Sequence, residues 1–217
     1  MQTTDISGDA DIVDIQYALS GASAIPADYA DALWMALLSR LPWLAEEAAA
    51  GVHPLSGLSP APYGWNLSRR SRLSLRLPRH RLEAAAALAG EQLNLQGEVL
   101  VVGPPQVREL AHSPVIYAKF VAIGPASLQG EAIGEIDFLD ACMKRFEVLG
   151  IRPQIICGKA QRAQTTEGLL SGFSLLLAGI EAEINLQLQR EGLGNARRHG
   201  CGIFVPHKTF AAVKTLE

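Results

Sequence analysis

Apolar and polar positions along the chain change period several times, and each change marks an element. Ile12 to Leu19 combines alternation with β-branched residues and is broken by Gly21 to Pro26, which predicts a strand running into a loop. Pro26 at the start, Asp28 near the cap, and Tyr29, Leu33, Trp34, Leu37, Leu38 and Leu41 at three- and four-residue spacing predict an amphipathic helix ending at Pro42. Residues 43–61, with Trp43, an Ala-rich turn, Gly51, His53-Pro54 and a run of Gly, Ser and Pro, read as an irregular connection. Alternation returns in Tyr63 to Ser68 and Ser71 to Leu77, predicted as the two strands of a hairpin ended by Pro78. Arg81 to Leu88 reads as a short helix closed by Gly90, and Leu93 to Val102 as a strand before Gly103-Pro104-Pro105. The order is βαββαβ.

The same order recurs downstream. Val115 to Ile123 reads as a strand, Ile136 to Leu149 as an amphipathic helix, and Gln154 to Arg162 with Leu169 to Ala178 as a hairpin around Thr165-Thr166. Ile180 to Arg190 completes a helix and Gly202 to Val205 a last strand. The halves share no evident sequence identity, so the repeat is one of pattern. An α+β protein of two tandem ferredoxin-like (βαββαβ) domains fits this order and a length of 217 residues. The domains are expected at 1–107 and 108–217, the boundary falling within Gly103 to Ser113.

Composition narrows the class. A chain that is 48% hydrophobic and 19% charged describes a soluble globular protein, and a net charge of -3 argues against a uniformly basic nucleic-acid binder. Totals conceal distribution, however. Cys142, Cys157 and Cys201 lie far apart and never as CxxC, so neither a disulfide framework nor a zinc site is expected, and a reducing compartment is. The acidic, polar opening MQTTDISGDADIVD does not read as a signal peptide, and the longest apolar run, Leu169 to Ile180, is too short to span a bilayer. A cytoplasmic protein with no membrane partner is expected.

Two stretches break the charge balance. Between Arg69 and Arg81 the chain carries Arg69, Arg70, Arg72, Arg76, Arg79, His80 and Arg81 with no acidic residue. On the predicted strand Arg70, Arg72 and Arg76 share a face opposite Leu73, Leu75 and Leu77. Such a row can follow a phosphate backbone, since the guanidinium fork pairs with phosphate oxygens and stacks on bases; the plain alternative is a solvated strand face. The second stretch, Gly192 to Lys208, reads GLGNARRHGCGIFVPHK. Gly192, Gly194, Gly200 and Gly202 allow a backbone to approach a ligand, while Arg197, Arg198, His199 and Lys208 match phosphate. A dinucleotide fingerprint needs strand, glycines, then helix; here a helix-like run precedes and a strand-like run follows. No Gly-Lys-Ser/Thr follows either, and the competing reading is a helix C-cap with a turn. The arginines of both stretches favour RNA as the polyanion.

His53 is the candidate for proton transfer. It precedes Pro54 in the connection after the first helix, where a side chain can sit at a cleft edge, and an imidazole of ordinary pKa about 6.5 suits the 2′-hydroxyl chemistry of RNA cleavage. An ordinary surface histidine is the alternative. His199 and His207 lie in or beside the glycine stretch, where contact is as well supported as catalysis, and His80 and His112 carry no distinguishing context. No HxxxH, clustered carboxylate spacing, GxSxG or Cys-His signature is present, so no metal and no other cofactor is expected.

The segment GLGNARRHGCGIFVP closely resembles the glycine-rich signature of the CRISPR-associated RAMP endoribonucleases that cut precursor CRISPR RNA within its repeats, particularly the MYXAN subtype. ALSGASAIPADYADALWMALLSRLPWL, GVHPLSG, SRLSLRLP and VVGPPQV also have family counterparts, so the resemblance covers almost the whole chain. It implies tandem ferredoxin-like domains and metal-independent cleavage leaving 2′,3′-cyclic phosphate and 5′-hydroxyl ends on mature guide RNAs. The implied partners are CRISPR repeat RNA, as precursor and product, and other subunits of an effector complex. By position His53 matches the histidine that follows the first helix and acts in catalysis, and Tyr29 is a candidate for its partner, which in the family is often Tyr, Lys, Ser or Arg. The implied RNA contacts are Arg69, Arg70, Arg72, Arg76, Gly192, Gly194, Arg197, Arg198, His199, Gly200 and Gly202. The rival within the same superfamily is a non-catalytic RNA-binding subunit; a small-molecule enzyme on this fold gives no reason for the arginines.

Overall fold

The computed structural model describes residues 11–123 and 132–208, and the acidic segment before residue 11 lies outside them. The first half contains β1 (Ile12–Gly21), β2 (Ala24–Pro26), α1 (Tyr29–Arg40), β3 (Gly51–Val52), β4 (Ser59–Ala61), β5 (Gly64–Asn66), β6 (Arg72–Pro78), α2 (Leu82–Ala86), β7 (Gln92–Leu95) and β8 (Glu98–Glu109). The second contains β9 (Val115–Val121), α3 (Glu135–Val148), β10 (Gln154–Thr165), β11 (Gly168–Ala178), α4 (Ala182–Glu191) and β12 (Val205–Pro206). Short 3-10 turns cover Pro42–Ala45, Arg79–Arg81 and Arg197–His199.

The two main sheets are antiparallel, ordered β3-β6-β1-β8-β7 and β10-β11-β9-β12. In each, the unit's first strand lies between its third and fourth, the ferredoxin-like arrangement. The first sheet's long strand ends at Glu109 and the second sheet begins at Val115. Between them, α4 grips the connection: Gln189 Nε2 donates to the Ala111 carbonyl and Asn185 Nδ2 to that of Ser113, both at 2.9 Å.

Four elements differ from the sequence reading. β5 does not form a hairpin with β6; it pairs with β2 and β4 in a separate three-stranded sheet. The true second strand is β3, two residues inside the stretch expected to be irregular, and too short to show alternation. β8 continues through Pro104 and Pro105, because past Val102 it is paired on one side only, where proline forfeits least. The last strand starts at Val205 rather than Gly202, since Gly202 has φ +68 and lies outside the extended region.

Each sheet buries one face under its helices. Val13, Ile15 and Tyr17 of β1 pack with Leu73, Leu75 and Leu77 of β6 against Leu33 and Leu37 of α1. Ile116, Ala118, Leu175 and Leu177 pack against Phe138 and Phe146 of α3 and against Phe204. Asp14, Gln16, Ser74 and Arg76 project from the other face of the first sheet, and at Arg76 that face is covered by the second domain. Arg76 is 0% exposed. Its Nε and Nη2 donate to Asp14 Oδ1 and Oδ2 at 2.8 and 2.9 Å, and its Nη1 donates to the carbonyls of Gln189 at 2.6 Å and Phe204 at 2.7 Å. The predicted arginine row therefore does not exist as a solvent-facing surface.

Truncating a buried ion-pair partner leaves its counterpart uncompensated, at a cost of about 3–5 kcal/mol. Arg76→Ala should lower unfolding stability by that amount in urea titration, and a loss below about 1 kcal/mol, the worth of an exposed pair, would show the junction to be weak.

Candidate active site at the domain junction

His53 immediately follows β3, and its backbone N–H extends the pairing with β6 by donating to the Ser74 carbonyl at 2.9 Å. Two residues on, the Leu55 N–H donates to the Tyr29 hydroxyl at 2.9 Å, so the main chain is fixed on both sides of the imidazole. The side chain, 11% exposed, stands between two cavities of about 340 and 420 Å³. Both are also lined by Pro54, Trp65 and Lys119. The first extends to Arg162, Arg198 and His199, and the second to Gln16, Arg108 and Tyr117. Side chains from both domains therefore converge on one histidine.

The electrostatics of this junction are set by burial and by a few charges. His53 Nε2 lies 3.0 Å from Asp14 Oδ1. Burial pushes the His53 pKa below its ordinary value; Asp14 opposes this, while Arg76 and Arg197 add to it, so the imidazole is neutral at neutral pH. Burial alone would raise Asp14, but His53 and Arg76 outweigh it and hold the carboxyl well below the usual carboxylate range. Lys119 stands over the Trp65 ring at 5.3 Å, and the cleft walls remove enough water to lower its pKa.

The other residues expected at the site divide sharply. Arg69 and Arg70 are exposed on the turn before β6, whose backbone packs against Gly57 in the wall of the larger cavity. Arg72 is half-buried and turns back onto the carbonyls of Arg69 and Ser71. Arg76 is sealed in the junction and is not available to a ligand. Tyr29 borders the smaller cavity together with His53, but the residue is buried, its hydroxyl accepts from the Leu55 N–H, and burial pushes its pKa up to about 12 against that bond, which favours a structural use of the phenol.

The glycine stretch serves the fold. A Cβ on Gly194 would lie 2.2 Å from the Ala122 carbonyl oxygen and one on Gly202 2.1 Å from that of Leu193, so the backbone packs too closely there for a larger side chain, while Gly194 to His199 also line a further cavity of about 580 Å³. Gly192 ends α4 at φ +77, and Gly200 packs against Pro54, beside His53. Arg197 points inward, its Nη1 donating to the Arg190 and Glu191 carbonyls at the C-terminal end of α4. Burial and the neighbouring Arg76 lower its pKa to about 10 despite Asp14 and Glu191. His199 is buried with Nε2 3.1 Å from Asp31 Oδ1 of α1, a second tie between the domains. Arg198 pairs with Glu167 but remains partly exposed in the cavity wall. Of this stretch, Arg198 and His199 line the cavity beside His53.

Asp14, Trp65 and Arg108 were not singled out by sequence reasoning. Asp14 and Lys119 are each the one charge in a largely apolar strand, IVDIQYAL and VIYAKFV, and a charge at a sheet-interior position is a signal that could have been read. Trp65 and Arg108 carry no such signal. Among the described residues no three His, Cys, Asp or Glu side chains converge to hold a metal ion.

Two tandem ferredoxin-like domains are a fold that this chain shares with solved structures. A RAMP protein binding different RNA substrates superposes with a TM-score of 0.67 at 14% identity over 90% of this chain and 100% of that one. A CRISPR associated protein Cas6 superposes with a TM-score of 0.66 at 10% identity over 91% and 100%. The family model described as Cas6 Crispr matches residues 13–209, and the CRISPR-associated endonuclease Cas6 of Myxococcus xanthus (strain DK1622) is 30% identical over 203 residues, 94% of this chain and 85% of that protein. The chain belongs to the Cas6 family.

Tyr29→Phe removes the acceptor of a buried amide and should cost about 1–3 kcal/mol of stability. The rate constant of the folded variant should equal that of wild type in a single-turnover assay; a loss of rate without loss of stability would return the phenol to the chemistry.

Proposed function

We propose that this chain is an endoribonuclease that cuts precursor CRISPR RNA within its repeats, leaving 2′,3′-cyclic phosphate and 5′-hydroxyl ends without a metal ion, and that it stays on the repeat and joins an effector complex. Membership of the Cas6 family and the endonuclease activity of the Myxococcus xanthus relative support the reaction class. The observation that carries the reading is the setting of His53: a neutral imidazole, fixed at its backbone, between two cavities whose walls bring cations from both domains. A neutral imidazole can accept the 2′-hydroxyl proton as that oxygen attacks the adjacent phosphorus. Lys119, Arg108, Arg162 and Arg198 then supply positive charge for the pentavalent transition state, held in place before the charge develops.

The decisive experiment separates rate from affinity. His53→Ala should slow single-turnover cleavage of repeat RNA in chelator by about 100- to 10,000-fold while leaving the dissociation constant unchanged, with no rescue by divalent cations. A hydrogen in place of the 2′-hydroxyl upstream of the cut should stop the wild type, because the nucleophile is gone. Wild-type cleavage by His53→Ala would move the base elsewhere, and cleavage of the deoxy substrate would refute the cyclising mechanism.

Binding should weaken steeply with salt, since each neutralised phosphate releases counterions. Arg70→Ala, Arg108→Ala and Lys119→Ala should each reduce the log–log salt slope by about 1. Unaltered slopes in all three would place the RNA on another surface.

A further inference from the structure

The reading above leaves Asp14 without a part, although among the described residues its carboxylate is the acid hydrogen-bonded to His53. We propose that Asp14 is a positioning residue: by accepting the Nε2 proton it holds His53 in the tautomer whose Nδ1 lone pair takes the 2′-hydroxyl proton, and the docked second domain holds Asp14 in place through Arg76. The inference rests on His53 being the base.

An ionised carboxylate accepts and cannot donate, so the proton in the 3.0 Å Nε2–Oδ1 contact belongs to the imidazole. A neutral ring has one N–H; with that proton on Nε2, Nδ1 carries the lone pair, and among the described residues the His53 ring makes its hydrogen bond through Nε2 alone. Asp14 itself is held by the two-pronged Arg76 contact, from the residue directly opposite on β6. The remaining Arg76 nitrogen ends on the Gln189 and Phe204 carbonyls, at the end of α4 and just before β12. A continuous set of bonds therefore runs from the second domain to the ring of His53. The other charges around that ring are cationic or more distant: Arg197 on the glycine loop, Lys119 on β9, Arg108 on β8, Arg162 on β10, Arg198, and Asp28 before α1.

The wild-type chain tests this directly. Nitrogen-15 histidine spectra at neutral pH should show His53 protonated on Nε2 and bare on Nδ1; the opposite tautomer would overturn the proposal with no variant needed. Asp14→Asn keeps the shape and removes the charge. The folded variant should cleave about 100-fold more slowly, the scale of a misplaced reacting group, with RNA affinity retained and both tautomers of His53 populated. Because the carboxylate raises the His53 pKa, its removal should also move the acidic limb of the rate profile to lower pH. A lesion of packing alone would reduce active protein without moving that limb. Wild-type rate and an unmoved limb in folded Asp14→Asn, alongside inactive His53→Ala, would overturn the role of Asp14 alone. An active His53→Ala would instead remove the base assignment, and with it this proposal, whatever the spectra show.

Discussion

A single buried guanidinium organises this protein. Arg76 has no contact with water, and its nitrogens divide between a carboxylate of its own domain and two carbonyls of the other. The cost of desolvating such a group is met only when every partner is in place, so the arrangement favours one docking geometry over others. That geometry also closes the cleft beside His53. Bringing the second domain onto the first sheet removes water from the histidine, and the loss of water keeps the ring neutral.

The glycine stretch acts in the same way from the opposite side. Its glycines allow the chain to fold back against β9 at Ala122 and to meet the first domain at Pro54. Arg197 then closes the end of α4, and His199 reaches Asp31 on α1. A segment that reads as a ligand cradle also ties the two domains together, and it lines cavities with Arg198 and its neighbours. Both charge-rich stretches are thus used first for domain docking, and the cations facing the cavities are drawn largely from strands on either side.

This resolves the tension between an acidic chain and a polyanionic ligand. Many arginines are neutralised locally: Arg79 by Asp11 and Glu109, Arg81 by Glu47, Arg198 in part by Glu167. The net charge of -3 sums over these pairs and says little about the cleft. Arg69 and Arg70 on their turn, with Lys119, Arg108 and Arg162 in the cavity walls, set the local field.

Periodicity alone determined part of the architecture: α1, the βαββαβ order of the second half, its β10–β11 hairpin and its helices, because these elements bury one face against their own domain and show it in their spacing. His53 was legible for a local reason, a histidine before proline in a break after a helix. The two-residue β3 was not legible, because two residues carry no period, and the pairing of β5 was not, because alternation fixes a face and never a partner. The fates of Arg76, Arg197 and Tyr29 were decided only by tertiary structure. A strand's two faces alternate in sequence, but whether the polar face meets water or a second domain depends on docking, which no local pattern encodes. Asp14 shows the same limit: nothing between residues 14 and 53 announces their contact, and the β1–β6 register and the docked domain create it.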